Sequence, residues 1–171
     1  EMKRVVERTS AVEGIVGFKV GLTAALRLGL PSAVKHLRAV TDLRVSALQQ
    51  SYVASNAVSI AQAYFHPEAW FRAVYVDDAP VGFVMLEDPT LLADWIGPAQ
   101  VGLWRFMIDE RHQGHGHGRA ALQLVIEHAR TRPAQTKLRT SCVPGPHSPI
   151  GFYERCGFRR TGEFDDAEEI L

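Results

Sequence analysis

The sequence points to one domain of the α/β (α+β) class, helices layered on a mixed sheet, and three observations predict it. A chain of 171 residues is long enough to bury one sizeable core and short for two. Apolar runs of period two alternate along it with runs of period 3.6, so strands and helices are interleaved rather than segregated. The stretch "RFMIDERHQGHGHGRAALQLVIEHAR" passes from a strand through glycines into a helix, a local order typical of mixed α and β layers.

Each element follows from its own residues. Residues 1–35 have mixed apolar character and a Gly-Leu-Pro break at 29–31, and they read as an N-terminal extension with some helix. The segment "GIVGFKVGLTAALRLGL" is the most membrane-like in the chain, but Lys19 and Arg27 interrupt it and no span is expected. From residue 36 to 171 the pattern is that of the main domain. "HLRAV" reads as a short strand, with Asp42 capping a brief helix through Gln50. Asn56 is read as the cap of a second helix in "SNAVSIAQAYF", which must end ahead of Pro67.

"FRAVYVDDAPVGFVMLED" holds two β-branched and aromatic runs about a turn, a hairpin signal. "QVGLWRFMI" is a further strand, apolar enough to be buried on both faces. "GRAALQLVIEHAR" places Leu122, Val125, Ile126 and Ala129 on one helical face. "KLRTSCV" reads as a strand, "SPIGFYERC" as a helix stopped by Gly157, and "FRRTGEF" as the last strand. The expected order is βααβββαβαβ. Glu1 at the start and a strand-like "EEIL" at the end fit a chain trimmed at both ends.

Charge and cysteine content narrow the function. Lys plus Arg equal Asp plus Glu at 19 each, so no net charge draws the whole molecule to nucleic acid or an anionic membrane. Cys142 and Cys156 are too few for a disulfide framework and are not spaced as a zinc pair, which points to a reducing, cytoplasmic setting.

The glycine loop carries the chemistry. The free N–H groups of the first turn of a helix point back toward the strand's end, and with the helix dipole they suit an anion, phosphate above all. Glycines at 114, 116 and 118 let the backbone approach it. A nucleoside-triphosphate loop needs Lys-Ser/Thr after its last glycine, where this chain has Arg119 and Ala120. A dinucleotide loop can be spelled with Gly116, Gly118 and Ala121, but "KLRTSCV" lacks the acid expected at the end of the next strand. His112, His115 and His117 alternate around the loop with no cysteine to complete a tetrahedral set, so no metal is expected.

A fourth reading covers more of the chain. "QGHGHG" has the form Gln/Arg-x-x-Gly-x-Gly/Ala, with Gln113, Gly116 and Gly118 in the key places. It resembles the pyrophosphate loop of the GNAT family, the acetyl-CoA-dependent N-acetyltransferases. "LWRFMIDERHQGHGHGRAALQL", "VASNAVSIAQAYF", "PVGFVML" and "VPGPHSPIGFYERCGFRRTGEF" resemble segments of the bacterial branch associated with spermine, spermidine and diamine acetylation. Two stretches depart from it: "PGPHSP" stands where many members carry an Asn, and the segment between "LRAV" and "SYVASN" is short.

The resemblance implies a GNAT fold over residues 36–171: a central, mixed but mostly antiparallel sheet whose fourth and fifth strands, the family's β4/β5 pair, splay apart, with flanking helices. The strand "RFMI" would part from "KLRTSCV" and bond the amides of acetyl-CoA through Phe106, Met107 and Ile108, with a backbone N–H near Met107 or Ile108 receiving the oxyanion. The diphosphate would sit on Gln113, Gly114, His115, Gly116, His117, Gly118 and Arg119, and Ser148 and Phe152 would complete the cosubstrate side. Tyr153 would protonate departing CoA. On the acceptor side Glu87, Asp88 and Asp94 offer carboxylates, and Trp95 a cation–π face. Cys156, three residues after Tyr153, leaves open a covalent acetyl-cysteine route or a packed thiol. The expected activity is acetyl transfer to a small-molecule primary amine, a polyamine above all. A non-catalytic CoA-binding sensor and a protein or aminoglycoside acceptor are the alternatives, and a homodimer is left open.

Overall fold

The computed structural model describes residues 17–20, 24–29, 34–98, 100–135 and 137–171. Their strands form a single sheet in the order β1-β2-β3-β4-β5-β6-β8-β7. The elements are β1 (Gly17–Val20), β2 (Ala24–Gly29), α1 (Val34–Thr41), α2 (Asn56–Ala63), β3 (Ala69–Val76), β4 (Ala79–Glu87), β5 (Gly102–Ile108), α3 (His117–Arg130), β6 (Arg139–Cys142), α4 (Ile150–Arg155), β7 (Phe164–Asp165) and β8 (Glu168–Ile170). Every pairing is antiparallel except β5 with β6.

Strand β4 is the centre of the sheet. Its residues Val81–Leu86 are all buried, and successive side chains feed opposite faces. Val84 and Leu86 join Leu122, Val125 and Ala129 of α3 and Ile150 and Tyr153 of α4 in one core. Phe83 and Met85 join Val40 of α1, Leu43, Val45 and Met107 in the other. The face read from "GRAALQLVIEHAR" is the buried one, with Ile126 at its margin.

Four expectations change. "HLRAV" lies in helix α1, not a strand: Val40 is buried against β4's face and Leu43 follows three residues on, which is a helical spacing that a five-residue run is too short to reveal. Asp42 caps no helix; the next turn is a short 3-10 turn at Ala47–Gln49 after Ser46. The cap of α2 is Ser55, whose side chain accepts from Val58 N, while Asn56 is buried and donates Nδ2 to Val40 O at 2.8 Å, tying the two helices together. Residues 158–163 of "FRRTGEF" form no strand; "EEIL" supplies β8 instead.

Residues 17–29, read as part of a partly helical extension, hold two strands. β2 pairs with β3 at Leu26↔Val76 through Gly29↔Ala73, so this stretch widens the same sheet. The rest of residues 1–35 up to Val34 lies outside the described residues. The hairpin is as expected, with Asp77 and Asp78 as the two-residue turn and Asp77 at φ 52, a conformation Asp tolerates better than most residues.

Candidate active site

The site begins where two strands part. β5 and β6 pair only at Gly102↔Arg139 and Leu103↔Thr140, with the Thr140 hydroxyl donating to Leu103 O at 3.0 Å. Beyond that point β6 turns its bonds to β8, and β5 runs on to Ile108 with no strand on that side. A bulge marks the fork: Leu86 pairs Leu103 and Met85 pairs Arg105, leaving Trp104 as the extra residue. A bulge bends and twists its strand, which here separates β5 from its parallel neighbour. The result is a cleft of about 600 Å³.

One wall is the glycine loop. Buried Asp109 anchors it, accepting from Arg44 N, Arg111 N and Arg111 Nε at 3.0, 3.1 and 2.7 Å. Burial pushes its pKa up, and these bonds outweigh that and hold it below the usual range. Gln113 donates Nε2 to Ile108 O at 2.9 Å and to Gln49 Oε1 at 3.0 Å, so its side chain shapes the loop from within.

The three glycines serve different needs. Gly114 and Gly116 have φ of 79° and 83°, left-handed values, and a Cβ on either would meet nothing within 4 Å, so the loop is an open cradle. A Cβ on Gly118 would meet the Phe152 ring at 3.4 Å, an ordinary contact, so this glycine lies close against α4 without being demanded by the space. Ala120 N donates to Gly116 O, so the N–H groups of residues 117–119 have no intrahelical partner, the arrangement that suits an anion at a helix N-terminus.

The structure gathers most of the cosubstrate residues expected from sequence. Phe106, Met107, Ile108, Gln113, Gly114, Gly116, Gly118, Arg119, Ser148 and Phe152 all line the cleft, and Phe152 stacks on Phe106 with centroids 6.0 Å apart. His115 and His117 do not line it; their rings stack on each other at 5.8 Å. Burial, then the neighbouring histidines His115 and His112, hold His117 below its ordinary pKa. Arg119 donates to Arg155 O at 3.1 Å, stitching α3 to α4. Among the described residues no group of three His, Cys, Asp or Glu can hold a metal ion.

Tyr153 sits in the opposite wall on α4. It is 4% exposed, with its ring 5.3 Å from those of Phe152 and Phe158. Burial, above all, raises the pKa of its phenol well beyond the usual tyrosine range, with Cys142 adding to this and the Thr140 hydroxyl acting the other way. Cys142 is buried and its thiol is pushed up to about 12, by burial first and then by Glu168 and Glu169, so it is inert. Cys156 caps α4 on the cleft wall, and among the described residues no histidine is hydrogen-bonded to it.

The carboxylates expected on the acceptor side lie elsewhere. None of Glu87, Asp88 and Asp94 lines the cleft. Asp88 is fully buried, accepting from Arg132 Nε at 2.5 Å and from Thr90 N and Oγ1 at 3.2 and 2.6 Å. Arg132 in turn meets His128 Nε2 at 3.0 Å, and His128 stacks on Trp70 at 4.0 Å. This knot ties the end of β4 to the end of α3. Tyr52, Trp104, Arg105, Ser141 and Glu168 also line the cleft, and sequence reasoning missed them. Their one signal was position, on and beside strands that the glycine loop had already marked.

Comparison with known proteins decides the family. The model of the acetyltransferase (GNAT) family matches residues 37–158. This chain belongs to that family. It is an N-acetyltransferase. The spermine/spermidine N(1)-acetyltransferase of Bacillus subtilis (strain 168) is 32% identical over 138 residues, 78% of this chain and 88% of that protein. The fold matches the GNAT domain of S. lividans PAT with TM-score 0.66 at 17% identity, over 88% of this chain and 90% of the other. It also matches the aminoglycoside acetyltransferase AAC(6')-Ib in complex with coenzyme A, with TM-score 0.61 at 16% identity, over 87% and 94%. The splayed pair, the family's β4/β5, is β5/β6 here because β1 widens the sheet by one strand. No helix among the described residues is long and apolar enough to cross a membrane.

Proposed function

We propose that this enzyme transfers acetyl from acetyl-CoA to the primary amine of a small molecule, a polyamine such as spermidine or spermine above all, by direct attack in a ternary complex. The observation that carries the reading is the cleft itself: an unpaired strand edge, an open glycine cradle at a helix N-terminus, and a buried phenol all face one space.

The residues fit the cosubstrate by their chemistry. The edge of β5 past Leu103 offers N–H and C=O groups to the amides of pantetheine, and the N–H groups of residues 113–119 suit its diphosphate. Bound acetyl-CoA supplies an activated acetyl thioester. Around that carbonyl the backbone N–H of Ile108, which faces away from β4 while that of Met107 faces it, stabilises negative charge as it develops. Tyr153 holds its proton at any physiological pH, because burial raises its pKa, and gives it up only to sulfur as the C–S bond breaks.

The polyamine reading is supported by the B. subtilis relative, named for spermine and spermidine. The acetyltransferase domain in this reading comprises residues 36–171 together with β1 and β2, which extend its sheet, and the free Cys142 and Cys156 suit a cytoplasmic setting. A panel of spermine, spermidine, an aminoglycoside and an N-terminal peptide, read by thiol release, tests it. Polyamines should give the highest kcat/KM; preference for either of the others would overturn the acceptor assignment.

A further inference from the structure

Among the described residues that line the cleft, Glu168 is the one carboxylate. Alternation along β8 turns it to the cleft while Glu169, the next residue, is buried and accepts from Arg160 at 3.1 Å. Ser141 on β6 donates its hydroxyl to Glu168 Oε2, which fixes the carboxylate's direction. The charge of Glu168 acts on Arg105 of β5 and on Cys142 of β6, so it stands at the mouth of the fork between these strands. Cys142 in turn acts on Tyr153 of α4. Ser141 and Cys142 are successive residues of β6 and face opposite ways, so the carboxylate bonded to Ser141 and the phenol beside Cys142 lie on the strand's two faces.

Amine acetylation also needs a group that takes a proton from the incoming amine. An alkyl amine, with a pKa near ~10.4, arrives as an ammonium ion, and its nitrogen has no lone pair until a proton leaves. Tyr153 is protonated and cannot take one. The other titratable groups on the wall are Arg105, Arg119 and Arg155, all cations, the two thiols, the Tyr52 phenol and exposed His147.

We propose that Glu168 is the acceptor-side catalytic residue, holding the substrate's ammonium and taking its proton. The inference rests on the amine-acetyltransferase reading above. One N–H bond breaks and that proton goes to the Glu168 carboxylate. The freed lone pair forms the C–N bond, the C–S electrons leave on sulfur, and sulfur takes the Tyr153 proton. The second proton of the acylated nitrogen restores Tyr153. Products are the amide, CoA thiol and one proton released from Glu168 to solvent.

The test is kcat/KM for spermidine between pH 7 and 10 in the parent, Glu168→Gln and His147→Asn, with acetyl-CoA affinity measured by calorimetry in each. Glu168→Gln should lose ~10²-fold at pH 7.5, and the gap should close as pH nears ~10, where solution itself supplies free amine. Acetyl-CoA affinity should stay at the parent's value. A loss under threefold, a gap that is constant across pH, weakened acetyl-CoA binding, or the pH-closing gap in His147→Asn instead would each overturn the assignment. Should the Gln variant not fold, Glu168→Asp should show the same closing gap on a smaller scale, and its absence would overturn the assignment equally. A parent that binds acetyl-CoA and acetylates no amine sinks the amine reading itself and this residue's role with it.

Discussion

Replacing Tyr153 with Phe removes one hydroxyl from the centre of the proposed chemistry and leaves the packing intact. The ring is 4% exposed and held by Phe152 and Phe158, and Phe keeps both contacts. The lost contact is with the Thr140 hydroxyl, which still donates to Leu103 O, so stability should change by ~1 kcal/mol or less. Loss of a positioned proton donor costs ~10²–10⁴ in rate, equivalent to ~3–5 kcal/mol of barrier. The assay is CoA release at saturating acetyl-CoA and amine, beside thermal unfolding and acetyl-CoA calorimetry on the same preparation. kcat should fall by that factor with melting temperature and affinity unchanged. In the parent, kcat should show no alkaline fall through the normal tyrosine range, because burial raises the phenol's pKa. If the Phe variant turns over within a factor of a few of the parent while chemistry is rate-limiting, the reasoning from burial and placement to general acid is refuted.

Three further outcomes follow from other residues. Gly116→Val puts a side chain on a backbone at φ 83, a strain of ~1–2 kcal/mol; it also fills the open cradle and weakens charged hydrogen bonds worth ~1.5–3 kcal/mol each. Calorimetry should show at least tenfold weaker acetyl-CoA binding in a folded variant. Asp88→Ala strands Arg132 and should cost ~3 kcal/mol, lowering the melting temperature by roughly 6–12 °C with KM for the amine unchanged; an altered acceptor KM without destabilisation would restore Asp88 to the acceptor side. His128 is held neutral in the fold, its pKa lowered to about 4, first by burial and then by Arg132. The unfolded chain takes up that proton as pH falls through ~6.5 and the folded chain does not, so stability should be lost between pH ~6.5 and ~4 by up to ~3 kcal/mol. Melting temperature against pH should be flatter in that window for His128→Gln.

What could be read from sequence was what local pattern encodes. The β3–β4 hairpin, β5, the buried face of α3 and the glycine loop each carry their signal within a dozen residues, and each lies where it was expected. What could not be read depends on partners far along the chain. β2 is a strand because β3, more than forty residues on, pairs with it. "HLRAV" is a helix because Val40 and the Asn56 amide meet across 16 positions. Asp88 reads as an acceptor-side carboxylate in the sequence, and only Arg132, 44 positions away, makes it a buried ion pair. Glu168 lay in a run of acids at the chain's end, and its neighbour Ser141 on β6 is 27 positions away. The glycine loop was legible because it is one short stretch; Tyr52, Trp104, Ser141 and Glu168 reach the same cleft from four separate stretches.

Acetyl transfer from acetyl-CoA to an amine in the forked cleft is tested most directly by incubating the protein with acetyl-CoA and spermidine and following free thiol and the mass of the amine together. One CoA thiol should appear for each acetylated amine, at a rate that vanishes when either substrate is withheld. Tight acetyl-CoA binding with no thiol released above the amine-free background, for spermidine and for every other amine offered, would contradict it.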